Sequence, residues 1–281
     1  MDKNSISFLL IFALILIFFI SACIQSEPIT NSNSEKELAL VIEITDGDTL
    51  KLASGEKVRL IGINAPEKKT ICSEQAAQFL REQTENKTVE LEKEPPDLDQ
   101  YGRKLRNVFS DGKNVNILLV RNGLATVYVY EKQLKYLQEL KQAEAEAQKS
   151  NECIWKKSDA IYELDGCLSV RNFHFDAEGN DSENLNNEFI QFENKCSYPI
   201  ALTGWNIKDE GTNFFDFPSI NFEKNSFLTV FSGIGTNSSS KSRDWTHLYW
   251  NSKQGVWNNN HDRMFLRNEK GELVVFSEYM N

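Results

Sequence analysis

The sequence predicts two β-rich domains in tandem: a closed five-stranded α+β barrel carrying three helices, then an all-β sandwich. Three observations carry this. Short alternating apolar runs broken by Asp-Gly and Ser-Gly turns begin at Leu38. Helical spacing interrupts such runs three times before residue 157. Beyond residue 166 only strand-like runs appear, separated by Gly, Asn and Ser clusters. At 281 residues the chain is long enough for two ordinary domains.

Taken in order, the first element is Phe8 to Ile20, an unbroken apolar run. It is shorter than the roughly 20 residues a membrane-crossing helix needs and has the length of a signal-peptide core. It ends in Ile20-Ser21-Ala22-Cys23, which resembles the lipobox of secreted lipoproteins. That resemblance implies a signal peptide over 1–22, a lipid on Cys23, and a membrane-anchored protein outside the cytoplasm. An uncleaved signal anchor is the alternative, because Lys3 is the only basic residue ahead of the run and Asp2 offsets it. Residues 23–37 are polar and read as a tether.

LALVIEI, DTLKLAS and EKVRLIGI then predict three antiparallel strands in succession. Ser73 to Glu85 has helical spacing, and TVELEKE is a strand expected to stop before Pro95-Pro96. A strand over Arg103 to Ser110, a helix over Val115 to Arg121 closed by Asn122-Gly123, and a long surface helix over Gln133 to Ser150 complete the domain, 38–157. Five strands and three helices in this order suit a Greek-key barrel of the oligonucleotide-binding type. A linker is expected at 158–165, and CLSVRNFHF, NEFIQFENK, YPIALTGWNIKD, FLTVFSG, RMFLRN and ELVVFSEY predict a sandwich over 166–281.

Without Cys23, the remaining Cys72, Cys153, Cys167 and Cys196 are an even set, which favours two disulfides outside the cytoplasm. Three pairings are open. Cys72 with Cys153 and Cys167 with Cys196 is preferred, since each bond then staples one domain. No Cys-x-x-Cys pair suggests zinc.

The net charge of −10 divides unevenly: residues 1–37 carry 2 basic and 4 acidic groups, 38–157 carry 19 and 19, and 158–281 carry 10 and 18. A neutral barrel and an acidic sandwich exclude a broad basic grip on nucleic acid. Any such contact must be local, made by a few arginines.

Singly, Asp46-Gly47-Asp48-Thr49 is a hairpin turn and Arg59 a strand residue. Together with Arg59-Leu-Ile-Gly-Ile-Asn64-Ala65-Pro66-Glu67 and Asp99-Gln100-Tyr101-Gly102-Arg103, they resemble the thermonuclease (staphylococcal-type nuclease) family, over roughly 38–157. That resemblance implies a Ca²⁺-dependent phosphodiesterase. Asp48, the side-chain oxygen of Asn64 and the carbonyl of Ala65 would hold the metal, all of them the hard oxygen donors Ca²⁺ prefers. Glu67 would hold the attacking water as general base or orienter, and Arg59 and Arg103 would clamp the phosphate. Tyr101, Tyr128 and Tyr130 match nucleotide-contacting positions, where stacking gives affinity without sequence choice; alternation also allows Tyr128 and Tyr130 to be core residues. The chain departs from the family pattern at Asn64, where an aspartate is usual, at Gln100, where a lysine is common, and in the short loop Lys68 to Cys72.

In the second half LNNEFIQFEN, LTGWNIKDE and VWNNNHDRMFLRNEKGELV resemble the lamin-tail domain, over about 166–279, which implies an immunoglobulin-like sandwich. His261 stands where that family usually has glycine. His174, His247 and His261 lack ligand spacing, and Trp205 and Trp257 are expected in the core. The combined expectation is a surface-anchored, monomeric endonuclease acting on DNA and perhaps RNA, with an unknown cell-surface partner for the sandwich. The rival is a surface binding protein on a barrel that has lost turnover.

Overall fold

The computed structural model describes residues 36–129, 134–157, 164, 166–177, 179, 183–240 and 244–280. The apolar run, Cys23, the tether up to Glu35, Tyr130, Gln133 and most of the expected linker lie outside the described residues. From Lys36 onward the chain is one compact unit.

The barrel is built from β1 (Lys36–Ile44), β2 (Thr49–Leu52), β3 (Lys57–Leu60), β4 (Ile63–Asn64), β5 (Thr88–Leu98), β6 (Lys104–Ser110), β7 (Lys113–Asn114) and β8 (Thr126–Val127). Its sheet runs β3-β2-β1-β5-β6-β7, and β3 pairs again with β6 to close five strands into a barrel. The closing pair is parallel and sets Arg59 opposite Leu105, so the arginine of β3 and the turn that enters β6 come to the same end of the barrel. Val41, Leu50, Val58 and Val108 fill the interior and are fully buried. Three helices cover it: α1 (Ser73–Thr84), α2 (Val115–Arg121) and α3 (Leu137–Ser150). The side chain of Asn114 caps α2 by accepting from the Ile117 N–H at 3.3 Å.

Three boundaries differ from the sequence expectation. β5 continues through Pro95-Pro96, because the ladder with β6 shifts register between Lys93 and Leu98 and leaves the prolines where no N–H is needed. α3 begins at Leu137, since the Lys135 N–H donates to Glu94 and the Tyr136 hydroxyl to Glu92, both at distances under 3 Å. Arg103 stays in the turn before β6 because its N–H is held by Asp99 Oδ1 at 2.9 Å.

The second half comprises β9 (Leu168–His174), β10 (Phe189–Asn194), β11 (Ile200–Ala201), β12 (Asn206–Lys208), β13 (Phe214–Asp216), β14 (Asn221–Phe222), β15 (Ser226–Phe231), β16 (Ser238–Ser240), β17 (Trp245–Tyr249), β18 (His261–Arg267) and β19 (Leu273–Met280). The sheet β16-β17-β15-β10-β9 packs on the sheet β13-β12-β18-β19 around Ile190, Phe192, Ile207, Leu228 and Met264. Trp205 and Trp257 are buried in this core. Strands β16 and β17 have no counterpart in the sequence reading: β17 pairs in parallel with β15, and its Thr246-His247 breaks the alternation that marks a half-buried strand.

The two halves share a core. Phe265 and Leu273 of the sandwich belong to the same buried cluster as Leu60, Ala76 and Leu119 of the barrel. Trp155 joins them, its ring 5.8 Å from Phe265 and 5.3 Å from Phe276. Arg263 on β18 makes two 2.7 Å bonds to the carboxylate of Glu144 on α3 and a third to the Val127 carbonyl at 3.3 Å. Disulfides join Cys72 to Cys153 and Cys167 to Cys196.

Candidate active site

The Asp46-Gly47-Asp48-Thr49 segment turns tightly into β2. Asp46 Oδ1 accepts from the Asp48 N–H at 3.2 Å, the local bond an Asx turn makes. Glycine is required at 47 because a Cβ there would lie 2.7 Å from the Cβ atoms of both Ala65 and Ala76. That close approach drives Asp48 inward, and its side chain is buried.

Asp48 is the hub. Oδ2 accepts from the Ala65 N–H at 2.7 Å, Oδ1 from the Thr49 hydroxyl at 3.0 Å, and Arg59 Nε lies 3.1 Å from Oδ1. Burial pushes its carboxyl up to about 6, although Arg59 opposes the shift; the nearby Asp46 adds to it. Arg59 also donates to the carbonyls of Leu60 and Ile63 and to Asn64 Oδ1 at 3.1 Å. Asp48, Arg59, Asn64 and Ala65 are therefore one connected network. Every donor it offers a metal is an oxygen, which in chemistry fits a hard cation. It contains a single carboxylate, and Arg59 rests on the same oxygens.

Arg103 reaches this network from the turn before β6. Its Nε donates to Asp99 Oδ2 at 2.6 Å, and Nη1 lies 3.4 Å from the Thr49 hydroxyl. Asp99, which opens the motif but carries no assigned role in the sequence reading, organises the turn by accepting from the N–H groups of Tyr101 and Arg103. Burial raises its carboxyl, but these two N–H groups and the guanidinium outweigh burial and hold it below the usual carboxylate range. Tyr101 is 74% exposed with Arg103 5.3 Å from its ring centre. Tyr128 is half-buried. Both tyrosines and both arginines line one cavity of about 230 Å³, together with Asn64 and Asp99.

Glu67 stands apart. It lies exposed on the loop after β4, where its carbonyl accepts from the Thr70 N–H and hydroxyl. Among the described contacts no hydrogen bond or ion pair joins its carboxylate to Asp48, Arg59 or Arg103. Its charge acts on Lys208 of the sandwich.

The wall opposite the arginines comes from the sandwich. Gly211 and Thr212, in the turn between β12 and β13, line the same cavity. Asn64 Nδ2 donates to the carbonyls of Glu210 at 3.1 Å and Gly211 at 3.4 Å. An aspartate at 64 would point a carboxylate oxygen at these carbonyls, so an amide is the physical choice once the turn docks there. The unusual His261 has a parallel role, its Nε2 lying 3.5 Å from the buried Glu210 carboxylate. No local pattern marks these turn residues, since their partners are nearly 150 positions away.

Residues 57–157 match the family of staphylococcal nuclease homologues, and residues 165–280 match the lamin tail domain. The chain is 29% identical to the thermonuclease of Staphylococcus hyicus over 55% of its own length and 99% of that protein. It is 34% identical to the SPbeta prophage-derived endonuclease YokF of Bacillus subtilis, over 45% of this chain and 47% of that one. It is 35% identical to the Bacillus subtilis endonuclease YncB, over 51% and 75%. These likenesses, the closed barrel and the Asp48–Arg59–Arg103 constellation together place the chain in the staphylococcal nuclease homologue family, with a lamin tail domain following the barrel.

Proposed function

We propose that this protein is an extracellular, surface-anchored endonuclease that hydrolyses phosphodiester bonds of DNA, and of RNA, with little sequence preference and with Ca²⁺. The observation that carries it is the convergence of Arg59 and Arg103 on one cavity lined by Asn64, Tyr101 and Tyr128, with Asp48 buried behind Arg59 at 3.1 Å.

Two guanidiniums presented together match the oxygens of a phosphodiester bidentately, and they stabilise charge as it grows on phosphorus. Asp48, Asn64 and the Ala65 carbonyl would hold the cation, which when bound supplies charge neutralisation at a non-bridging oxygen. Arg59 must give up part of its hold on Asp48 and Asn64 for the phosphate to be gripped. Glu67, exposed on the loop three residues past Asn64, would swing toward the cavity to take the proton of the attacking water. Tyr101, Tyr128 and, outside the described residues, Tyr130 stack on bases and so confer no sequence choice. The surface anchor is supported by the apolar run and Cys23.

Cleavage of single-stranded DNA, with Ca²⁺ titrated against a chelator, tests the reading. Glu67→Gln is expected to lower the rate by about 10²- to 10⁴-fold while leaving calorimetric Ca²⁺ binding in place. Oligonucleotide binding without turnover at saturating Ca²⁺ would make the protein a surface binder on a retired nuclease barrel.

A further inference from the structure

Asn64 borders a second cavity as well as the catalytic one. This larger space, about 480 Å³, lies between the barrel and the sandwich. Lys69 of the barrel and Lys208, Arg267 and Lys270 of the sandwich line it, against a single carboxylate, Glu269. The sandwich, 166–281, carries 10 basic and 15 acidic residues, yet three of those ten cations face this one space.

Two of them sit there at a cost. Arg267, at the end of β18, is 9% exposed and has no ion pair among the described residues. One Nη1 contact to the Gly271 carbonyl at 3.1 Å and a ring contact with Phe265 at 5.6 Å are its partners. Burial alone pulls its guanidinium down to about 10. Lys208 is part-buried, and its Nζ donates to the carbonyls of Asp209 and Gly211. Desolvation depresses it; the carboxylates of Asp209, Glu67 and Asp262 act against that depression and the charge of Arg267 adds to it. A buried cation without a counter-anion beside a second cation is unfavourable unless an anion completes the set. Phe214, 37% exposed, lines the same cavity with Lys208 5.6 Å from its ring.

We infer that the cleft between barrel and sandwich is a second phosphate-binding subsite, in which Lys69, Lys208, Arg267 and Lys270 hold the backbone of a nucleic-acid strand that continues past Asn64 from the catalytic cavity. Phosphates neutralise the cations, and Phe214 offers a base a stacking face. The lamin tail domain is thus one half of the substrate groove. This rests on nucleic acid being the ligand of the catalytic cavity. The strand-length dependence of affinity is its own property.

The test is fluorescence anisotropy in chelator, which reads binding without turnover. The ligands are a labelled single strand long enough to span both cavities and a dinucleotide, with inorganic phosphate as competitor, over a salt series. Lys69 and Lys270 are exposed, so Lys69→Gln with Lys270→Gln should leave the fold intact. This pair is expected to weaken the long strand on the order of tenfold and to flatten its salt slope by about 1.4, at roughly 0.7 per cation removed. The dinucleotide should lose less. Arg267→Gln, checked by circular dichroism, should act in the same direction.

An unchanged slope, equal losses on both ligands, or inorganic phosphate that competes only with the dinucleotide would overturn the strand path. Cleavage by the wild type with an unchanged slope removes the cleft and keeps the nuclease. Length-dependent binding without cleavage in Ca²⁺ does the reverse.

Discussion

The barrel and the sandwich place charge in opposite ways. The barrel is neutral, and its candidate site arginines are each secured by a carboxylate, Arg59 by Asp48 at 3.1 Å and Arg103 by Asp99 at 2.6 Å. The sandwich is strongly acidic, yet it turns Lys208, Arg267 and Lys270 toward the barrel, and Arg267 has no carboxylate partner among the described residues. Net charge therefore misleads about the face that matters. An acidic domain supplies the cationic wall of the larger cavity because Glu269 is the one sandwich acid among its lining residues, while others, such as Glu210 and Asp262, are buried.

How firmly the two regions are joined can be broken at Glu144 and Arg263. Glu144→Gln leaves a buried guanidinium short of its main acceptor, and denaturant unfolding should lose about 3–5 kcal/mol. Replacing both residues by apolar ones of similar volume should restore most of that loss. A double variant as unstable as the single one would mean the pair matters for more than charge.

The disulfides sharpen the same comparison. Cys72–Cys153 closes 81 residues and Cys167–Cys196 closes 29. Removing the first should cost roughly 4–5 kcal/mol and the second roughly 3–4, if loop entropy dominates. An inverted order would place the difference in the folded state.

Asn64→Asp tests the docked turn. A carboxylate facing the Glu210 and Gly211 carbonyls should lower stability by about 1–3 kcal/mol in metal-free protein, and added Ca²⁺ should recover part of it. An unchanged melting temperature would show that the turn does not depend on the amide.

The last comparison concerns pH. Burial raises Glu210 from its ordinary 4.5 to about 8. The folded state then holds this proton where the unfolded chain releases it, so the group's contribution to stability falls as pH rises from about 4.5 to about 8. Glu210→Gln should flatten that part of the stability profile. An identical slope in the variant would assign it to other groups, such as Asp209, whose carboxyl burial raises to about 6.

Much of this was readable from local pattern. Alternation with Asp-Gly turns marks β1 to β3, and helical spacing marks α1 and α2, because each periodicity is enforced by one buried face. The motif residues Asp48, Arg59, Asn64 and Arg103 do converge in one network. Prolines concealed the length of β5, since a register shift makes them harmless, and the polar Thr246-His247 concealed β17. Glu67, expected to hold the attacking water, is exposed on the loop after β4, and its charge acts on Lys208.

The sequence by itself determined the barrel's elements, the sandwich's strand-rich character and the catalytic candidates, because periodicity and short motifs record interactions over a few residues or one strand pair. Only the tertiary structure decided that Asn64 is met by a turn nearly 150 residues away, that Trp155, Phe265 and Leu273 make the two domains share a core, and that cations of an acidic domain line the groove. Those contacts depend on how two finished surfaces fit, and no local spacing encodes that fit.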